Sequence, residues 1–241
     1  MGRVALVTGG TRGIGEAICI ALKEAGYNVA ASYAGNDQAA NEFKERTGIP
    51  VFKWDVGDFT ACEQGVVEVE NQVGPIEILV NNAGITKDAP LHRMTHEQWS
   101  DVIRTNLDSM FNMTRQVING MRERGFGRII NISSINGQKG QAGIANYCAA
   151  KAGDLGFTKT VALENAKKGI TCNAIAPGYV NTELLANVPE EVMQKAILAH
   201  IPTGRLGEAD EVARCVAFLA ADEAAWITGS TLSINGGQYM I

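Results

Sequence analysis

The chain has 241 residues, 46% hydrophobic and 6% aromatic, with a formal net charge of -5. That length supports one large core. No apolar run reaches the ~18 residues of a membrane span, and an acidic chain without a basic run is not built for nucleic acid or a membrane surface. The amino-terminal MGRVALVTGG enters a strand at once with no cleavable signal, so a cytoplasmic location is expected. Five scattered cysteines, Cys19, Cys62, Cys148, Cys172 and Cys215, form no CxxC pair and read as small buried residues in a reducing compartment. The acceptor-like Asn131-Ile132-Ser133 is then a chance match.

In chain order, short β-branched runs alternate with segments of helical spacing. RVALVTG is followed by a glycine-rich turn and EAICIALKEAG. NVAASY and PVFKWDV come next, then ACEQGVVEVENQVG, EILVNNAG and a long helical pattern from Thr95 to Arg124. RIINISS precedes a second long helix from Asn146 to Lys168, and ITCNAIAPG and STLSING complete the strands. Apolar runs without polar alternation suit strands covered on both faces. The prediction is an α/β, Rossmann-like, doubly wound sheet of seven parallel strands with helices on both faces, forming one nucleotide-binding domain over residues 1–241, with ligands at the carboxyl ends of the strands. The stretch from Tyr179 to Gly207 fits neither period and is predicted to be a substrate lid above those ends.

Several residues carry chemistry by type and spacing. In TGGTRGIG, Gly9, Gly13 and Gly15 let the backbone approach a pyrophosphate at the start of a helix near Glu16. No GxxxxGK[ST] is present, which disfavours phosphoryl transfer. The second strand ends at Ser32-Tyr33-Ala34 without an acidic residue to bind both ribose hydroxyls, and Arg12 lies inside the glycine loop. Both features favour NADP over NAD, although Asp37 follows shortly. Asp55-Val56, closing the third strand, either meets the adenine or caps the next helix. Tyr147 and Lys151 are four residues apart, so on a helix they share a face. A cation ~4 Å from a phenol, at an effective dielectric of ~20, favours the phenolate by roughly 4 kcal/mol and makes a proton donor useful near neutral pH. The three histidines, His92, His96 and His200, lack metal-ligand spacing, and no metal is expected.

In this order and at these distances, TGGTRGIG, NNAG (Asn81 to Gly84), Asn106, Ser134, Tyr147 with Lys151, and PGYVNT (Pro177 to Thr182) resemble the short-chain dehydrogenase/reductase family from Arg3 to Gly237. The resemblance implies that Ser134 hydrogen-bonds the substrate carbonyl, Tyr147 donates the proton, Lys151 holds the nicotinamide ribose, and Asn106 keeps a water next to Lys151. The implied NADP(H) set is Gly9, Thr11, Arg12, Gly13, Ile14, Gly15, Tyr33, Asp55, Val56, Asn82, Ala83, Gly84, Pro177, Gly178, Val180 and Thr182, together with Tyr147 and Lys151. Asn106 lies inside the long helical pattern, where asparagine is a poor choice unless its amide or a local bulge holds something.

Within the family the chain is similar to bacterial acetoacetyl-CoA reductases through NNAGITKD, NISSINGQKGQAG, GRLGEADEVARCVAFLA and ITGSTLSINGGQY. That similarity implies reduction of acetoacetyl-CoA to (R)-3-hydroxybutyryl-CoA for polyhydroxybutyrate synthesis, by a homotetramer paired through the two long helices. Gln141, Ile144 and Tyr179 are the substrate-pocket candidates, with Gln141 alternatively a plain turn residue. Ile144 stands where those reductases usually carry glutamine, and Cys148 where they carry serine or alanine. The alternatives are a 3-oxoacyl carrier-protein reductase, with Arg122, Arg124, Lys167 and Lys168 as a docking patch, a sugar or polyol dehydrogenase, and a nucleotide-binding regulator without turnover.

Overall fold

The computed structural model describes residues 2–183 and 188–240. Seven parallel strands form one sheet in the order β3-β2-β1-β4-β5-β6-β7. They are β1 (Val4–Thr8), β2 (Asn28–Tyr33), β3 (Val51–Lys53), β4 (Ile76–Asn81), β5 (Gly127–Ile132), β6 (Ile170–Pro177) and β7 (Thr231–Ile234). The order reverses direction at β1 and β4, which opens a crevice at their carboxyl ends. All seven predicted strands are present, with β4 and β5 ending two or three residues before the predicted runs do and β3 stopping at Lys53; Trp54, Asp55 and Val56 follow it as a loop.

The helices are α1 (Gly13–Glu24), α2 (Asp37–Thr47), α3 (Phe59–Gln72), α4 (His96–Ile103), α5 (Ser109–Arg124), α6 (Ile135–Lys139), α7 (Ala145–Asn165), α8 (Glu190–Val192) and α9 (Ala209–Ala220). Local chemistry sets many of their ends. Asn36 and Asp58 cap α2 and α3 by accepting from Ala39 and Ala61, and Thr95 with Gln98 closes a capping box on α4. Left-handed Gly48 and Gly125 end α2 and α5.

Alternation along β1 divides the core. Ala5 and Val7 face Ile18, Leu22, Val212 and Val216 of α1 and α9. Val4 and Leu6 face Val66, Val69, Met113, Val117 and Val161 of α3, α5 and α7. With every β1 residue buried, both faces of the sheet are covered, which is why the strand shows no polar alternation.

Two regions differ from the sequence expectation. The helix predicted from Thr95 to Arg124 is broken by a π turn at Arg104–Asp108, with Asn106 buried inside it. The segment predicted to be irregular from Tyr179 to Gly207 contains α8, a π turn at Met193–Ile197 and a 3-10 turn at Leu198–His200. Residues 184–187 of that predicted lid lie outside the described residues. Its ends are fastened: Val180 bridges Gly207, and Thr203 N donates to Gly236 O at 3.1 Å. No helix among the described residues is long and apolar enough to cross a membrane.

Candidate active site

The glycine loop is shaped by positions that no side chain can share. Gly9 and Gly13 have φ of 61° and 55°, in the left-handed region that glycine alone enters without cost. A Cβ on Gly15 would lie 2.1 Å from Gly9 O and 2.6 Å from Asn82 Nδ2, so α1 starts in contact with the loop only because Gly15 has none. Asn82 then pins the loop: its Nδ2 donates to Thr8 O at 3.0 Å and to Gly9 O at 3.1 Å. Thr8 Oγ1 accepts from the backbone of Asn82 and Ala83. Asn82 thus works by bracing the loop, and Thr8 is a partner that sequence reading missed. Thr11 is buried, and the Thr182 methyl group lies 3.9 Å from where a Gly13 Cβ would be.

These close approaches leave free backbone amides at a helix start, so the residues fit a dinucleotide phosphate. Arg12 precedes α1, is exposed, and makes no side-chain hydrogen bond or ion pair among the described residues. Asp37 is engaged elsewhere, by Lys53 at 2.8 Å and the Tyr33 hydroxyl at 3.1 Å. Lys53, then Tyr33, holds its carboxyl below the usual range. Its charge is therefore balanced rather than aimed at a neighbouring phosphate.

Asp55 does not cap α3, a place taken by Asp58. It accepts from Gly57 N at 2.8 Å and from Arg104 Nη1 at 2.7 Å. Partial burial pushes its carboxyl up, but Arg104 and Gly57 outweigh that and hold it down. Arg104 opens the π turn, so this ion pair ties the loop after β3 to the turn that carries Asn106. The Asn106 amide clasps Ile85 on both sides, accepting from Ile85 N at 2.8 Å and donating to Ile85 O at 2.9 Å. Gly84, immediately before Ile85, lies beside the clasp, where a Cβ would meet Asn106 Oδ1 at an ordinary contact distance of 3.4 Å.

The chemistry-bearing residues sit on β5, α6 and α7. Ser134 caps α6, and its Oγ accepts from Asn136 N at 3.1 Å, which leaves its hydroxyl proton free to donate. Lys151 is 5% exposed. Its Nζ donates to Ile132 O at 2.8 Å and to Asp154 Oδ2 at 3.1 Å, and lies 6.0 Å from the centre of the Tyr147 ring. Two partners thus hold the cation on the same helix as the phenol. Burial works against the ammonium, but Asp154 and then Tyr147 keep its pKa above the ordinary lysine value. Gly137 permits this packing, since a Cβ there would be 2.5 Å from Lys151 O.

Asn146 is a second residue that sequence reading missed. It is fully buried, donates to Lys87 O and Gln98 O at 3.0 and 2.9 Å, and accepts from Tyr147 N at 2.8 Å. It thereby fixes the first turn of α7, and Tyr147 with it. Its sequence signal was only an asparagine in the first turn of a helix.

Of the pocket candidates, Gln141 Oε1 accepts from the Tyr179 hydroxyl at 3.2 Å, so these two are joined. Ile144 is buried and bridges Ala89, which gives it a packing role between α7 and the loop after β4. Pro177 ends β6, and Gly178 passes so close to Asn235 that a Cβ would meet its Cα at 2.9 Å. The basic residues considered for carrier docking lie elsewhere. Arg122 donates to Asn165 Oδ1 at 2.7 Å and Arg124 to Ile76 O at 2.7 Å. Ile76 begins β4, so this cluster is on the amino edge of the sheet, a strand length of ~20 Å from the carboxyl edge.

Buried thiols add no reactivity: burial pushes Cys62 and Cys172 up to about 12. His92, His96 and His200 are exposed.

A family model described as "Enoyl-(Acyl carrier protein) reductase" matches residues 9–238. The chain is 65% identical to the acetoacetyl-CoA reductase of Rhizobium meliloti (strain 1021), over 99% of each chain. It is 66% identical to the acetoacetyl-CoA reductase of Shinella zoogloeoides, over 100% of each. It is 45% identical to the 3-oxoacyl-[acyl-carrier-protein] reductase of Escherichia coli (strain K12), over 100% of this chain and 98% of the relative. With this sheet order, this glycine loop and these relatives, the chain belongs to the short-chain dehydrogenase/reductase family of nicotinamide-dependent oxidoreductases.

Proposed function

We propose that the protein reduces the 3-keto group of acetoacetyl-CoA to (R)-3-hydroxybutyryl-CoA with NADPH, as a cytoplasmic enzyme of polyhydroxybutyrate synthesis. The observation that carries the chemistry is the buried Lys151 ammonium, which spends two N–H groups on Ile132 and Asp154, has a third to spare, and lies 6.0 Å from the centre of the Tyr147 ring. The bound dinucleotide supplies a hydride to the ketone carbon.

The residues of this chain do the rest. Ser134 donates its free hydroxyl proton in a hydrogen bond to the ketone oxygen, and Tyr147 transfers a proton to that oxygen as it becomes an alkoxide. Lys151 orients the ribose with its remaining N–H and supports the phenolate left behind. The Asn106 amide is engaged by Ile85, so a water-holding role beside Lys151 falls to the backbone opened by the π turn. Gly9, Thr11, Gly13, Ile14, Gly15, Asn82, Ala83 and Gly84 would hold the pyrophosphate side, Tyr33, Asp55 and Val56 the adenosine, and Pro177, Gly178, Val180 and Thr182 the carboxamide end. Arg12, free of other ion pairs among the described residues, favours a 2′-phosphate.

The choice of CoA over a protein carrier rests on two supports. Identity is 65–66% to chains named acetoacetyl-CoA reductase and 45% to the carrier-protein reductase. The basic cluster is on the far edge of the sheet, where Arg122 and Arg124 already bind the protein's own carbonyl oxygens. Gln141 and Tyr179 would border the acyl group, beneath a lid spanning 179–207 of the single 1–241 domain. A homotetramer is supported by apolar side chains standing out from the long helices, Phe111 on α5 and Leu163 on α7, which are 52% and 83% exposed. The test is NADPH and NADH oxidation with acetoacetyl-CoA and with acetoacetyl carrier protein at matched concentrations. Higher kcat/KM with NADPH and the CoA ester supports this reading, and preference for the carrier substrate transfers it to fatty-acid synthesis.

A further inference from the structure

We propose that Asp154 is a positioning residue of the reductase, a buried counter-charge that holds Lys151 and sets how strongly its ammonium acts on the Tyr147 hydroxyl. This rests on the roles given above to Tyr147 and Lys151. Asp154 lies on α7 one turn beyond Lys151 and is completely buried. Its Oδ2 accepts from Lys151 Nζ at 3.1 Å, while its Oδ1 accepts no hydrogen bond from any described residue. A buried carboxylate with a single partner is an expensive way to fill space. Nor is it needed to hold Nζ in place by hydrogen bonding alone, because Ile132 O already accepts from the same ammonium at 2.8 Å. What remains for Asp154 to contribute is its charge.

The ammonium stands between a carboxylate at 3.1 Å and an aromatic ring 6.0 Å away. The nearer negative charge keeps the buried lysine protonated. It also offsets the ammonium's field at the phenol. Burial pushes the Asp154 carboxyl up to about 6, against the pull of Lys151. α4, the π turn, α6 and β6 all pack on α7. Among the described residues, none of them brings a charged group to bear on the pair; Lys151 is the only charge acting on Asp154, and Asp154 and Tyr147 the only ones acting on Lys151.

The test is Asp154→Asn, nearly isosteric and neutral, read as the pH profile of kcat/KM for acetoacetyl-CoA reduction, with Tyr147→Phe assayed in parallel. Without the counter-charge, the ammonium loses its proton more easily and its field at the phenol is no longer offset. The alkaline limb is expected to move down by about one pH unit, with a loss that approaches about tenfold on the alkaline side of the limb and is much smaller near pH 6. Asp154→Glu is expected to return the limb toward its original position. A loss equal at every pH, or a profile that superimposes on the wild type, overturns the role of Asp154. If Tyr147→Phe still reduces the ketone, the site reading itself fails, whatever Asp154→Asn does. If Asp154→Asn does not fold, Lys151→Met tests the pair with Asp154 intact. Difference infrared spectroscopy should then show one carboxyl titrating at least a unit higher than in the wild type, and unchanged carboxyl titration overturns the proposal.

Discussion

At the β1–α1 end the site is made of backbone. Gly9, Gly13 and Gly15 define its shape by what they lack, and Asn82 and Thr8 brace it through main-chain atoms. At the β5–α7 end it is made of buried side chains: Asn146 with three hydrogen bonds, Lys151 with two, and Asp154 paired with Lys151 alone. The first half recognises a shape common to dinucleotides, and its charge lies at exposed Arg12 rather than in a buried network. The second concentrates buried charge around one phenol, where pKa values and proton positions can be adjusted. Damage to the two halves should therefore look different, as lost cofactor binding in one and as altered turnover or pH dependence in the other.

The sharpest break of this contrast is Gly15→Ala. The added Cβ meets Gly9 O at 2.1 Å, backbone against backbone, with no flexible side chain to yield. We expect NADPH affinity, followed by cofactor fluorescence, to fall at least ~100-fold, with ~1–3 kcal/mol lost from stability in denaturant melts. Near-normal binding would show that the loop does not need its glycines.

Asn146→Ala probes the other half. It strands Lys87 O, Gln98 O and the Tyr147 amide beside a buried cavity, at about 2–4 kcal/mol. kcat should fall more than tenfold while the KM for NADPH changes little. Equal loss in both would mean that α7 serves the two halves alike.

The charge in the catalytic half also has a signature in stability. Burial raises the folded Asp154 carboxyl from the ordinary 3.8 to about 6, so the native state holds this proton more tightly than the unfolded chain. Its stabilising contribution is present below 3.8 and is lost as pH rises through about 6. Thermal melts should show the wild type losing ground to Asp154→Asn between pH 4 and 6. No change in their difference across that window would place the titration elsewhere. The smallest expected effect is Arg12→Ala, which should raise the KM for NADPH about tenfold and leave NADH unaffected.

The same contrast explains what could be read before folding. Strand runs, the glycine loop and the missing acidic residue after β2 act through local backbone chemistry, so sequence spacing reveals them. Tyr147 and Lys151 were visible because a helix places residues four apart on one face. The Asp55–Arg104 pair, the Asn106 clasp on Ile85 and the Asn146 contacts with Lys87 and Gln98 join residues 21 to 59 positions apart, and no periodicity announces them. Asp154 shared a helix turn with Lys151, yet only burial distinguishes it from an ordinary surface ion pair. β3 was drawn too long because Trp54 and Val56 are apolar and buried, but their burial comes from packing in a loop, including Trp54 against Gly65 of α3.

Tyr147→Phe, mixed with NADPH and acetoacetyl-CoA in a single-turnover experiment, tests the proton-donor assignment most directly. NADPH should still bind within a few-fold of the wild type, while ketone reduction slows by roughly 10²–10⁴-fold at every pH. Reduction at close to the wild-type rate would contradict the account.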